Sequence, residues 1–321
     1  MRFHRRAVLA LPALAAAPAL AAPFPDRPVR LIVPFATGGP SDIIARLLVP
    51  RMSAELGQPV VVEARPGAGG VTGLDAVAKA PPDGHVIGMG SAGGLVISPS
   101  LQPAMPYDAA RDFAPISLAV IVHEPLTVPA AQPWRSVEAL VAAAKARPGE
   151  LNYGSTGPGG MPHLAGELLQ LAAGIRLTHV PYKGGAPLAL ALVAREVELG
   201  FADLPILLPH VRVGALRALA IGGKARDPLL PEVPTMAEIG LPSVMTDNWH
   251  GLLAPAGTPP EALARLHRAA TAALTDAEVL RLLREQGAVP AGNQPADFAA
   301  FLGEERARWA AVIRQAGVKL E

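Results

Sequence analysis

Three times within the first hundred residues an apolar, strand-like run ends in a glycine loop and passes into helix-spaced apolar positions. The stretches are "VRLIVPFATGG", "QPVVVEARPGAGG" and "HVIGMGSAGG", which end at Gly39, Gly70 and Gly94. Strand, glycine turn and helix in series predict a parallel sheet with helices on both faces. After the first loop, Ile43, Ile44, Leu47 and Leu48 keep helical spacing, and Pro50 is expected to kink or end that helix.

A second series begins near residue 125. Ser136 is the expected N-cap of a helix through Arg147. "LNYGSTGPGG" and "RLTHVPYKGGAP" are again strands running into glycine loops, followed by a helix ending at Gly174 and a helix from Pro187. "VELGFADLP" and "LRALAIGG" read as further strands. The last third is helical, with Thr258-x-x-Glu261 and Thr275-x-x-Glu278 as capping-box patterns and a final helix ending at Gly317. Each half therefore presents glycine loops at the carboxyl ends of its strands, where open sheets bind ligands, and two such halves make a cleft.

The N-terminus reads differently. Arg2, Arg5 and Arg6 precede a uniformly apolar run, Ala7 to Leu20, and Ala19-Leu20-Ala21 fits small-x-small cleavage. The run is shorter than the ~20 residues that a membrane span needs. Residues 1–21 are therefore read as a signal peptide, leaving Ala22 first, and the residues around Arg5-Arg6 fit a twin-arginine signal poorly. Three of the 28 basic residues and none of the 27 acidic ones lie in that leader, so the remainder carries a net −2. No basic block remains to bind nucleic acid. Cysteine is absent, which excludes disulfides, thiolate metal sites, a cysteine nucleophile and a lipid anchor on an N-terminal cysteine. With 321 residues, half of them hydrophobic, the chain can fill one large or two medium domains.

Enzyme motifs are missing. No P-loop or HExxH occurs, and "YGSTGPGGM" has neither the lysine nor the spacing for a nucleotide. "MGSAGG" places Met89 where a nucleophile elbow needs glycine. The histidines are scattered and the carboxylates show no acid–base pairing. Helix starts rich in backbone donors are what the chain does have. Amides in the first turn of a helix lack intrahelical partners and, with the helix dipole, favour an anion. One such loop is ordinary turn chemistry. Five along one predicted edge point to a shared anionic ligand, with no cofactor or metal required.

"RPVRLIVPFATGGPSDIIARLL", "GQPVVVEARPGAGG", "LNYGSTGPGGMPHLAGELL", "HVPYKGGAP" and "LLAPAGTP" resemble the Bug family, periplasmic solute-binding proteins of tripartite tricarboxylate transporters. The resemblance covers essentially the whole chain. It implies an α/β, two-domain periplasmic binding protein of type II (a Venus flytrap), each domain a parallel-rich sheet flanked by helices. The expected domains are residues 22–123 with 249–321, and 124–248. The resemblance also implies a carboxylate held between them by two pincer loops. The first is Phe35 to Asp42, with Phe35, Thr37, Gly38, Gly39, Ser41 and Asp42 as candidates. The second is Tyr153 to His163, with Ser155, Thr156, Gly157 and His163, while Ser91 matches a cleft-lining position. Asp42 is expected to cap its helix or its neighbouring amides and to face away from the ligand. Asp203 stands one place from the family's usual carboxylate, a shift that on a strand would turn it to the other face, and is kept as a candidate. The implied partners are a small organic acid (a di- or tricarboxylate, amino acid or aromatic acid) and integral membrane permease subunits, with no nucleic acid, for a monomer free in the periplasm. Two alternatives remain: a secreted serine hydrolase using Ser91 or Ser155 with a histidine, and an orphan ligand-sensing binding protein.

Overall fold

A computed structural model describes residues 24–102 and 104–317; the leader read at 1–21 lies outside them. The chain first runs β1 (Val29–Val33), α1 (Pro40–Leu56), β2 (Val60–Ala64), α2 (Val71–Ala78), β3 (Val86–Ser91), α3 (Ser98–Leu101) and β4 (Phe113–Val122). It continues through β5 (Pro125–Pro129), α4 (Val137–Ala146), β6 (Asn152–Ser155), α5 (Met161–Ala173), β7 (Thr178–Pro181) and α6 (Gly185–Ala194). β8 (Leu199–Phe201), α7 (Leu204–Arg212) and β9 (Leu216–Ile221) follow. The last stretch holds β10 (Asn248–Pro255), α8 (Pro260–Leu274), α9 (Ala277–Glu285), β11 (Ala288–Pro290) and α10 (Pro295–Ala316).

Two sheets result, ordered β11-β4-β10-β3-β1-β2 and β7-β6-β8-β5-β9. The strand–loop–helix units pair in parallel: β1 with β2 and β3, and β6 with β7 and β8. The strands that pass between the sheets break that rule. β10 runs antiparallel to β3 and β4, and β5 runs antiparallel to β8 and β9. The sheets are therefore mixed, because a strand arriving from the other sheet enters from the opposite end. Only His123 and Glu124 separate β4 in the first sheet from β5 in the second.

Small apolar residues build the core. α1 buries Ile44, Ala45, Leu48 and Met52 in one cluster with Leu266, Ala269, Ala270 and Ala273 of α8. Alanines let the helices approach closely, and each buried leucine or isoleucine contributes about 1.5–3 kcal/mol. β10 is buried along its whole length, as a central strand covered on both faces must be.

Several local expectations change. α1 continues through Pro50 to Leu56. α6 starts at Gly185, two residues before Pro187. Thr258 does not cap α8, because its hydroxyl donates to Pro255 O at 2.8 Å. Thr275 likewise donates back to Thr271 O, and Asp276 caps α9 by accepting from the amides of Glu278 and Val279. Ser136 does cap α4, accepting from Ala139 N–H.

Candidate functional site

A cavity of about 670 Å³ opens where the loops of the two sheets face each other. Four helix N-termini contribute to its lining: Gly39 to Ser41 of α1, Gly160 to Pro162 of α5, Gly184 to Pro187 of α6, and the α7 N-cap Asp203. In α1 the first helical bond is Ile43 N–H to Gly39 O, so the amides of Ser41 and Asp42 precede the ladder. In α5 it is Leu164 N–H to Gly160 O, and in α6 Leu188 N–H to Gly184 O. Convergent open amides and aligned dipoles give these walls positive potential without charged side chains. Lys183, exposed, is the cation among the lining residues. Among the described residues no group of three or more His, Asp or Glu could hold a metal.

The glycines admit backbone where side chains would stand. A Cβ on Gly93 would lie 3.0 Å from Gly69 O and 3.8 Å from Gly159 O, so the two sides of the cleft approach there main chain to main chain.

Of the residues singled out from sequence, Phe35, Thr37, Gly39, Ser41, Ser91, Thr156, Gly157 and Asp203 line the cavity. Gly38, Asp42, Ser155 and His163 do not, and each has a different task. Gly38 adopts φ +80°, a left-handed turn that glycine accommodates without strain. Asp42 accepts from Gly38 N–H and Arg46 Nε, both at 2.9 Å, and so clamps the loop from behind. Burial works against its charge, but those hydrogen bonds hold its carboxyl below the ordinary aspartate value. Ser155 Oγ lies 2.7 Å from His179 Nε2 and accepts from Gly157 N–H. His163 Nδ1 accepts from Gly159 N–H. Both side chains thus brace the second glycine loop from below.

His179 stacks on His163 at 4.2 Å between centroids, and burial and that neighbour depress its pKa to about 4. The unfolded chain therefore takes up the proton from pH 6.5 downward, before the folded protein does. Stability must fall as pH drops from about 6.5 to about 4, by on the order of 2 kcal/mol after discounting for solvent screening. Urea unfolding across that window should show the loss, and His179→Gln should flatten it; a variant as acid-sensitive as the parent would refute the assignment.

Glu124, Asn248 and His250 also line the cavity, and no sequence motif singles them out. They come from the two passages between the sheets, and only pairing places them. His250 stands opposite Ser91 across β10 and β3. Its Nε2 is 3.3 Å from Asp203 Oδ2 and its Nδ1 is 3.1 Å from Ser41 Oγ. The ring thus spans the two side chains, and in the tautomer that donates from Nε2 to Asp203, Nδ1 accepts the Ser41 proton and engages that hydroxyl. Asp203 also accepts from Asn248 Nδ2 at 2.9 Å. A serine protease uses the two ring nitrogens in the opposite sense, with Nε2 toward serine.

Two mixed sheets facing one cavity rimmed by helix N-termini are the architecture of a solute-binding protein. Residues 44–318 match the tripartite tricarboxylate transporter family receptor. BugT of Bordetella pertussis is 39% identical over 307 residues, covering 95% of this chain and 94% of BugT. A solved R. palustris protein with adipate superposes at TM-score 0.89 and 37% identity, covering 92% of this chain and 99% of that one. MatC from Rhodopseudomonas palustris, with bound malate, superposes at 0.85 and 34%, covering 90% and 100%. The chain belongs to the tripartite tricarboxylate transporter receptor family and is of its Bug type.

Proposed function

We propose that the protein captures a small organic carboxylate between two lobes, residues 22–123 with 249–321 and residues 124–248, and delivers it to a tripartite tricarboxylate-type permease. The observation that carries this reading is the convergence of open helix N-termini on one cavity whose lining includes a single flexible cation. Neutral amides contribute about 0.5–1.5 kcal/mol each and hydrogen bonds to a charged group about 1.5–3. Several together reach micromolar affinity, near −8 kcal/mol. That strength suits a carrier, which must also release. Hinge closure at the passages around Glu124 and Asn248 would bring Thr156 and Gly157 toward Ser41.

The reading places the working protein in the periplasm with Ala22 as its first residue. The test is calorimetry on protein recovered from the cell envelope, first sequenced from its N-terminus, against adipate, malate and other small organic acids. Micromolar binding without consumption of the acid is expected. A site that binds no carboxylate, or one that turns an ester over, would overturn the proposal.

A further inference from the structure

The two passages between the sheets meet in a charged seam. In the first, His123 and Glu124 lie between β4 and β5, and in the second, Asp247 immediately precedes β10. The ladder joining β4 to β10 ends with Val122 opposite Asn248, so backbone pairing stops one residue short of His123 and Asp247. A side-chain contact continues it: His123 Nδ1 lies 2.7 Å from Asp247 Oδ1. The other ring nitrogen faces Asp227, on the loop after β9, with Nε2 3.8 Å from Oδ2. By the lobe boundaries proposed above, the imidazole belongs to the first lobe and both carboxylates to the second.

The other groups packed around the ring are accounted for. Gly223 presses on it, since a Cβ there would lie 2.7 Å from Nδ1. Beside Gly223, Lys224 is exposed, and Arg226 donates to Glu238 and to Pro231 O. Leu204 N–H donates to the His123 carbonyl. Glu124, next in the chain, and Asp203 both line the cavity.

A neutral ring that donates from Nδ1 to Asp247 turns its Nε2 lone pair toward Asp227, a carboxylate only 2% exposed. A protonated ring offers a donor to each acid. Burial opposes charge on His123, yet Asp247 and then Asp227 raise its pKa above the ordinary histidine value. Asp247, 24% exposed, leaves the proton a route to solvent.

We propose that His123 is a positioning residue of the hinge, that its imidazolium favours closure of the lobes on an anionic ligand, and that binding therefore takes up a proton. This rests on the carboxylate reading above and adds the proton. The ligand brings a further negative charge to a cavity whose lining already holds Glu124 and Asp203, so binding favours the protonated ring. Rotation about the passages also changes the gap between Nε2 and Asp227, because the two stand on opposite sides of the hinge. Affinity is therefore full below the raised pKa of His123 and declines as pH rises through it, above 6.5.

The experiment is calorimetry on the exported protein with adipate, malate and benzoate, from about pH 6.5 to about pH 9, where these acids are ionised. Buffers of different ionisation heat count protons, and nuclear magnetic resonance follows the His123 ring with and without acid. For the acid that binds most tightly, affinity should fall roughly three- to tenfold across the range, with net proton uptake near the midpoint of the ring. His123→Gln should bind as weakly at the acid end as the parent does at the alkaline end. Asp247→Asn keeps the ring but removes its nearest acid, so the ring titration and the affinity profile should both move to lower pH. That joint shift separates His123 from His250, which pairs with Asp203, and it carries the test if His123→Gln does not fold. Binding that ignores pH, net proton release, or a profile unmoved in Asp247→Asn overturns the inference. So does a ring that titrates at or below the ordinary histidine value in the ligand-free protein. Failure of every acid to bind at any pH overturns the carboxylate reading beneath it, and this inference with it.

Discussion

Replacing Gly39 with valine is expected to weaken ligand binding by roughly a hundredfold, about 2.7 kcal/mol, while the fold survives. Gly39 sits at φ −77°, ψ 170°, an extended conformation open to any residue. A Cβ there would meet Ala36 O at 3.1 Å, which asks for only a small local adjustment. Because Gly39 lines the cavity beside the open amides of Ser41 and Asp42, a branched side chain would stand where an anion approaches them. Gly38→Val is the contrasting variant. Its φ of +80° makes valine strained, so that substitution should lower stability as well. Calorimetry with the acid the parent binds, beside unfolding curves, separates the two. Parent-like affinity in Gly39→Val would remove the first loop from the site.

Phe298→Ala is expected to destabilise the protein by about 3–5 kcal/mol. Phe298 is fully buried on α10 and packs against Gly251 in β10, where any Cβ would overlap its ring. Trp249 packs edge-on to it, with centroids 6.0 Å apart, and also edge-on to Phe301 at 5.4 Å. Glu305 ties the same surfaces, accepting from Trp249 Nε1 at 3.3 Å and Trp309 Nε1 at 3.0 Å. Removing the ring opens a cavity in rigid surroundings that cannot collapse to fill it. Urea unfolding should show an earlier midpoint with an unchanged slope, and a loss below about 1 kcal/mol would mean that α10 is not anchored through this contact.

Glycines at strand ends, helical apolar spacing and the Ser136 cap follow local rules, so the amino-acid order alone makes them legible. The gathering of the loops at one edge is legible too, since parallel units must all turn the same way. Residues whose task depends on a partner distant in sequence are not. Ser155 and His163 look like ligand contacts beside their glycines, yet the hydrogen bonds to His179 and Gly159 set them beneath the loop. Asp203 reads as displaced on a strand, but the strand ends at Phe201 and Asp203 opens α7, so alternation no longer decides its face.

By itself the sequence determined the strand–loop–helix series, the donor-rich loops and the absence of thiol chemistry, all consequences of residue type and short spacing. Only the tertiary structure decided which polar groups share the cavity. Ser41 meets His250 across 209 positions, and Asn248 meets Asp203 across 45. Those pairings arise because β10 returns from the second sheet and inserts antiparallel between β3 and β4. No local propensity encodes that insertion; it is the burial of β10 on both faces that makes it favourable.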